Sequence, residues 1–400
     1  MGIERRGEAK NWFEFFRNLQ SEPVNLWAED VFKVFNLINR YRPEEIICKQ
    51  ICGIPTAVFI HSTKRGPALG GTRSLPYLNM ANFFRDGLKL SSAMTYKAIW
   101  ARLPLGGGKT VIYASQQEVL TDGFTKGYAE FLNEINELRK KFLTGEDIGC
   151  GEEFVDRVAK YTPYIAGKSV GAGGLGDPSP MTAAGCFAAT KAIVEDGDIF
   201  FNTLQDKVAA VQGAGKVASP LIKMLLDSGV RVYFSENDGV LSAEFRAHQA
   251  EVLGAQRVAK DAIFSIPCHI FMPYAIGGVI NKNTIPRLSP MCRIVIGAAN
   301  NILDTPEDGI ELHRRRIFFA PDYVINRWGL EWVTAESQGV TDPVKAKENL
   351  TDIVKDILDI LRVSEAKNLP SSEIADVISR KILTDQAESV EEAFEQLKSN

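Results

Sequence analysis

The sequence predicts an α/β protein of two domains, and three observations carry that expectation. The chain has 400 residues, too many for one ordinary hydrophobic core. The apolar run Val208-Ala209-Ala210-Val211-Gln212 leads into Gly213-Ala214-Gly215 and then into a helical pattern. In the first half, short strand-like runs alternate with helical stretches, and glycines fill the connections.

The elements follow in order. Residues 1–30 are charged and aromatic by turns, with helical spacing. Thr56-Ala57-Val58-Phe59-Ile60-His61 is rich in strand formers, and a glycine turn follows at Gly66-Pro67-Ala68-Leu69-Gly70-Gly71-Thr72-Arg73. A helical stretch runs through Phe83, Leu88 and Leu90 to Met94, and Thr110-Val111-Ile112-Tyr113-Ala114 is a strand directly after Lys109. At Gly171-Ala172-Gly173-Gly174-Leu175-Gly176-Asp177-Pro178 the composition shifts to glycine and proline, which marks the interdomain crossing. Val217, Leu221, Met224 and Leu225 repeat at helical spacing, and Val230-Arg231-Val232-Tyr233-Phe234 is the next strand, ending at Ser235-Glu236. Further strands at Ile270-Phe271, 293–297 and 317–320 complete a parallel, Rossmann-type α/β domain. In the tail, Leu350, Val354, Ile357, Leu358 and Leu361 form a helix stripe. The first domain is placed at 1–178 and the second at 179–345.

Composition excludes several classes. With 45% apolar and 24% charged residues the chain is globular, and a net charge of -4 gives no support for nucleic-acid binding. Arg314-Arg315-Arg316, the one dense basic run, reads as a solvated face. No apolar run approaches the roughly 20 residues of a spanning helix, and the N-terminus lacks a secretory pattern, so no membrane association and a cytoplasmic location are expected. Cys48 and Cys52 are the only close pair among six cysteines, and nothing nearby completes a zinc set. Buried free thiols are expected, and no metal. The four histidines share no motif.

Two features carry chemistry. Lys97, in Met94-Thr95-Tyr96-Lys97, and Lys109, after Gly106-Gly107-Gly108, set cationic side chains beside bare backbone that a small anionic substrate can approach. The second feature is the glycine turn after the strand at 208–212. Gly213 permits the tight turn, Gly215 lets backbone approach a pyrophosphate, and Ala218 allows close helix–strand packing. Ala214, Lys216 and Val217 complete the turn at a helix N-terminus, whose free N–H groups attract phosphate. Glu236 falls about 20 residues on, where a carboxylate bonds the adenosine ribose and repels a 2′-phosphate, favouring NAD over NADP. Together the features suggest a two-part dehydrogenase.

The chain resembles the glutamate/leucine/phenylalanine/valine dehydrogenase family, in the branch acting on apolar amino acids. The blocks that carry the resemblance are the 66–73 turn, Met94-Thr95-Tyr96-Lys97, Gly106-Gly107-Gly108-Lys109-Thr110 and Thr144-Gly145-Glu146-Asp147-Ile148-Gly149. They continue with Asp177-Pro178-Ser179-Pro180-Met181-Thr182, Gly297-Ala298-Ala299-Asn300-Asn301 and Ala320-Pro321-Asp322-Tyr323-Val324-Ile325-Asn326, in family order over roughly residues 50–330. The resemblance implies a substrate domain, an NAD domain, a C-terminal segment (346–400) packing back on the first, and a closed homo-oligomer. It matches Lys97 to the lysine that binds the substrate carboxylate, Lys109 to the catalytic lysine and Asp147 to the catalytic aspartate. Asn326 matches an asparagine near the substrate, and Thr182 and Asn300 match positions near the nicotinamide and its ribose. Gly70 and Gly71 border the substrate pocket.

These roles suit oxidative deamination to a 2-oxo acid and ammonia. A lysine acts as base only if its pKa falls towards working pH; burial lowers it, and Lys97 is expected to supply a second ammonium nearby. The glycines before Lys109 are expected to leave room for substrate. Leu69 stands where glutamate-specific relatives present a cation, which points to apolar L-amino acids, with leucine, valine and isoleucine first and aromatic ones second. One departure stands out. After Asn326 the family usually continues with small residues, whereas here Arg327-Trp328-Gly329 places two bulky side chains, expected at the pocket rim, where they narrow it, reshape it for an aromatic substrate or block it. A non-catalytic homologue that binds nucleotide or amino acid is the alternative from another class. A hydroxy-acid dehydrogenase is a third, and lacks a histidine in a matching motif.

Overall fold

The computed structural model describes residues 28–137, 141–196, 201–236 and 241–399. The N-terminal stretch with helical spacing therefore falls, up to residue 27, outside the described residues.

The first unit contains α1 (Ala28–Tyr41), β1 (Glu45–Ile51), β2 (Ile54–Ser62), β3 (Ala68–Leu69), β4 (Thr72–Leu75), α2 (Met80–Trp100) and β5 (Gly106–Tyr113). It continues with α3 (Gln116–Val119), α4 (Asp122–Glu137), β6 (Phe142–Leu143) and α5 (Glu152–Val158). The sheet order is β1-β2-β5-β3-β6, with β4 also paired to β5. β1, β2 and β5 run antiparallel in succession, and β3 and β4 lie parallel to β5. The 66–73 segment, read as a turn, thus contributes two short strands. Both faces of the sheet are covered. Ala57 and Phe59 of β2 join Phe83, Phe84 and Leu88 of α2, whereas Val58 and Ile60 join Phe124, Tyr128 and Leu132 of α4. The two-residue period of a strand sorts one apolar run onto two cores.

The glycines before Lys109 serve packing rather than substrate access. A Cβ on Gly107 would sit 2.1 Å from the Thr95 backbone nitrogen, on Gly106 1.8 Å from the Ser62 carbonyl oxygen, and on Gly108 2.7 Å from the Phe142 ring. Bare backbone here lets α2 and its neighbours close onto β5. None of the three borders the cavity described below.

The second unit contains α6 (Ser179–Glu195), β7 (Val208–Gln212), α7 (Ala218–Asp227), β8 (Arg231–Ser235), α8 (Leu241–Val252), β9 (Gln256–Arg257) and β10 (Ile270–Pro273). β11 (Ile294–Val295), α9 (Pro306–Arg314), β12 (Phe318–Phe319), α10 (Asp322–Ile325) and α11 (Trp328–Ser337) follow. All its strands are parallel, in the order β12-β11-β10-β7-β8-β9. This is the doubly wound order, which reverses between β7 and β10 and leaves a crevice at their carboxyl ends.

The tail forms α12 (Pro343–Glu348), α13 (Ile353–Lys367), α14 (Ser371–Leu383) and α15 (Val390–Ser399). It bridges both units rather than returning to the first alone. Ile99 and Trp100, at the end of α2, share one buried cluster with the second sheet and with α13, α14 and α15. The Trp100 indole N–H donates to Ser379 Oγ at 3.0 Å, and its ring meets Phe394 edge-on.

All six cysteines are free, but only four are buried: Cys48 is half-buried, and Cys52 is exposed in the turn between β1 and β2. The tight turn there demands left-handed backbone (φ 51°) and turns the thiol outward. Among the described residues no helix is long and apolar enough to cross a membrane, and no His/Cys/Asp/Glu group is arranged to hold a metal.

Candidate active site

A cavity of about 850 Å³ lies between the two sheets. From the first unit it is bordered by Leu69, Gly70, Gly71, Lys97, Lys109 and Asp147. Thr182, Asn300 and Asn326 border it from the other side, with Gly213, Gly215, Lys216, Val217 and Glu236 at the dinucleotide turn. Of the residues given catalytic, substrate or cofactor roles from the sequence, only Ala214 is off the wall, being wholly buried.

Alternation along β5 aims Lys109. Thr110 faces α4, where its hydroxyl accepts from Tyr128, and Val111 packs towards α2, the side Lys109 shares. Lys109 Nζ donates to Asp147 Oδ2 at 2.5 Å, and both side chains are largely buried. Arg73 Nε donates to the same oxygen at 2.9 Å, and the Arg73 guanidinium also reaches Asp86 at 3.1 Å. Asp86 in turn accepts from the Tyr77 hydroxyl at 2.7 Å. Burial alone would raise the Asp147 carboxyl, but the charges of Arg73 and Lys109 overcome it and hold Asp147 well below the usual carboxylate range. Burial lowers the Lys109 ammonium despite the Asp147 charge; Arg73 assists as a neighbouring cation, and Lys97 and Lys109 also repel each other. Arg73 and Asp86 were missed as site residues. Arg73 ended a quoted motif, but Asp147 is 74 positions away in the chain, and only folding brings the two together.

Lys97 sits in the last turn of α2, facing the second unit. Its Nζ donates to Asn300 Oδ1 at 3.2 Å, and Asn326 Nδ2 donates to that oxygen at 3.1 Å and to the Ala298 carbonyl at 3.2 Å. Burial pushes Lys97 down to about 8, against the charge of Asp322 and with the help of Lys109. The Asn326 amide spends its N–H groups on these acceptors and leaves its buried Oδ1 without a partner. A buried acceptor on a cavity wall is a place for an N–H donor.

The dinucleotide turn is open towards the cavity. Gly213 has φ 101°, which favours glycine, and a Cβ on Gly215 would meet nothing within 4 Å. Protein packing therefore does not demand glycine at 215, while a closely approaching phosphate would. The Ala214 N–H donates to Glu236 Oε2 at 2.7 Å. Lys216, half-exposed, reaches across the cleft to Glu146 (3.7 Å) and Asp177 (3.6 Å). Burial raises Glu146 to about 7 despite Lys216.

Arg327 and Trp328 do not stand at the rim. Neither borders the cavity; both turn into the tail, where Arg327 is fully buried against Asp356 and the Trp328 indole N–H donates to the Thr351 carbonyl at 2.8 Å. The wall is made instead by Gly329, Leu330 and Val333, one turn along α11.

Residues 49–164 match the model of the Glu/Leu/Phe/Val dehydrogenase dimerisation domain, and residues 235–384 match that of Glutamate/Leucine/Phenylalanine/Valine dehydrogenase. The chain belongs to this family. The amino-acid dehydrogenase is 34% identical to leucine dehydrogenase of Thermoactinomyces intermedius over 348 residues, covering 86% of this chain and 92% of that one. It is also 34% identical to phenylalanine dehydrogenase of Caldalkalibacillus thermarum, over 81% of this chain and 86% of the relative. The crystal structure of L-tryptophan dehydrogenase from Nostoc punctiforme superposes with a TM-score of 0.67 at 31% identity, covering 92% and 100% of the two chains. The dehydrogenase is an oxidoreductase of an NAD(P)-dependent family, with the two-domain α/β fold expected from its sequence.

Proposed function

We propose that this dehydrogenase catalyses NAD-dependent oxidative deamination of an apolar L-amino acid, with leucine, valine and isoleucine first, to the 2-oxo acid, ammonia and NADH. The observation that carries the proposal is the buried Lys109–Asp147 pair on the same cavity as Lys97 and the unpartnered Asn326 Oδ1. Lys97, charged at neutral pH, pairs with the substrate carboxylate. Asn326 Oδ1 accepts a hydrogen bond from the substrate amine. Lys109, its proton affinity lowered by burial, takes a proton from the water that attacks the imine carbon, and Asp147 exchanges protons with the departing nitrogen. A bound dinucleotide would supply the hydride acceptor for the substrate Cα. Gly213, Gly215 and the backbone at Ala214, Lys216 and Val217 would hold its pyrophosphate, with Thr182 and Asn300 towards its nicotinamide end. Glu236 favours NAD by repelling a 2′-phosphate.

Leu69, Leu330 and Val333 make the side-chain wall apolar. A second substrate carboxylate would be buried there unpaired, at a cost of several kcal/mol. A larger, aromatic substrate is the second reading, and the similarity to tryptophan and phenylalanine dehydrogenases favours it. The non-catalytic alternative is not favoured, since a binding module needs no base and Lys109 and Asp147 pair on the cavity. A homo-oligomer is proposed through the segment matched to the dimerisation domain.

The test is NADH absorbance across a panel of L-amino acids. Turnover is expected with apolar side chains and not with glutamate, and the ratio of phenylalanine to leucine decides between the two readings. If no amino acid reduces NAD, while Lys109→Ala binds the same ligands unchanged, the catalytic assignment fails.

A further inference from the structure

Arg327 and Asp356 have no exposed side-chain surface, and they lie at the centre of a polar network that the reaction chemistry does not use. Arg327 NH2 donates to Asp356 Oδ2 at 2.7 Å, its NH1 donates to the Val324 carbonyl at 2.9 Å, and its Nε donates to Thr351 Oγ1 at 2.7 Å. Glu331 closes the ring, accepting from the Thr351 N–H at 2.7 Å and its hydroxyl at 2.5 Å. On its far side Asp356 is held by a second arginine: Arg102 donates to its two oxygens at 2.8 and 2.9 Å. One carboxylate therefore joins an arginine of the first unit to one of the second, behind the cavity. Arg102 lies just past the end of α2, which carries Lys97; Arg327 follows Asn326 directly and precedes the Leu330 and Val333 wall.

Burying two charges is a poor way to gain stability, because desolvation offsets most of the attraction and an apolar pair of equal volume does as well. A forked guanidinium does fix direction, since each of its donors has one acceptor in one place. We propose that Arg327 is a positioning residue: through Asp356 and Arg102 it sets the Asn326 carboxamide and the α11 wall against the helix of Lys97, and so governs amino-acid affinity and side-chain choice. This rests on the reading of Asn326 and Lys97 as substrate contacts.

Arg327→Met is the test, because it fills the same space and leaves Asp356 paired with Arg102. The KM for the amino acid is expected to rise about tenfold or more, the discrimination between leucine and phenylalanine to narrow, and the KM for NAD to stay within about twofold. Arg327→Lys, which keeps the charge towards Asp356, is expected to recover part of the loss. An unchanged amino-acid KM, or a uniform fall in every parameter with no change in discrimination, overturns the positioning role. Should Arg327→Met not fold, Arg102→Met cuts the arm to the first unit while sparing the Arg327–Asp356 pair, and the same criteria apply. A wild-type chain without turnover removes the underlying reading as well; an active wild type with an indifferent Arg327→Met removes only the positioning role.

Discussion

Lys97 and Lys109 occupy one buried space, but burial acts on them with different partners in reach. Lys109 has Asp147 on its ammonium, whereas the Lys97 ammonium meets an amide oxygen, with Asp322 acting as a nearby charge. Lys97 must be protonated to hold a carboxylate. Burial holds its proton affinity down to about 8, well below an ordinary lysine. Amino-acid kcat/KM is therefore expected to fall as pH rises through about 8, and Lys97→Arg, charged throughout, to move that limb upward. A limb that stays in place in Lys97→Arg assigns it to another group. The stability sign runs the other way: from about 8 up to the unfolded lysine value the unfolded chain binds the extra proton, so this site adds stability as pH rises. Both lysines and Asp147 were legible as blocks of a family resemblance. The Arg73–Asp147 contact was not, because an ion pair 74 residues apart leaves no local pattern.

At the scale of elements, legibility followed periodicity. β7, its glycine turn, α7 and β8 were readable because an apolar strand, a turn and a helix face follow one another in known order. β3, β6 and β9 have two residues each, too few for any period. The glycines show how one residue type hides two purposes: at 107 glycine admits a neighbouring helix, and at 215 it faces open space. Gly107→Ala is expected to lower stability by about 1–3 kcal/mol and to weaken amino-acid binding by pushing α2, with Lys97, off the sheet. Gly215→Ala is expected to leave the melting temperature within a degree or two and to raise the KM for NAD. A thermal melt and steady-state kinetics on the pair decide it: equal melting losses would contradict this division of roles.

For the whole molecule, several polar ties cross between the two units, and Lys216 makes one of them. Its ion pairs with Glu146 and Asp177 are long and half-exposed, worth at most about 1 kcal/mol. The ammonium is therefore free to turn from two carboxylates to an incoming pyrophosphate, linking cofactor arrival to the facing wall. Lys216→Ala is expected to melt like the wild type and to bind NAD several-fold more weakly at low salt, with the difference shrinking as salt is added. Calorimetry showing equal affinity at low ionic strength would remove that link. The direction of the tail was legible only as a family trait. That it reaches the first unit as well depends on Trp100 meeting Ser379 and Phe394 of the tail, far along the chain.

That meeting has a practical side. The indole of Trp100 is sealed between the closing stretch of the polypeptide and the core, so trimming the last helix or crowding it with a fused tag would admit water to the ring. Red-shifted emission would then report the loosened end before any loss of turnover is measured, and purification handles belong elsewhere on the chain.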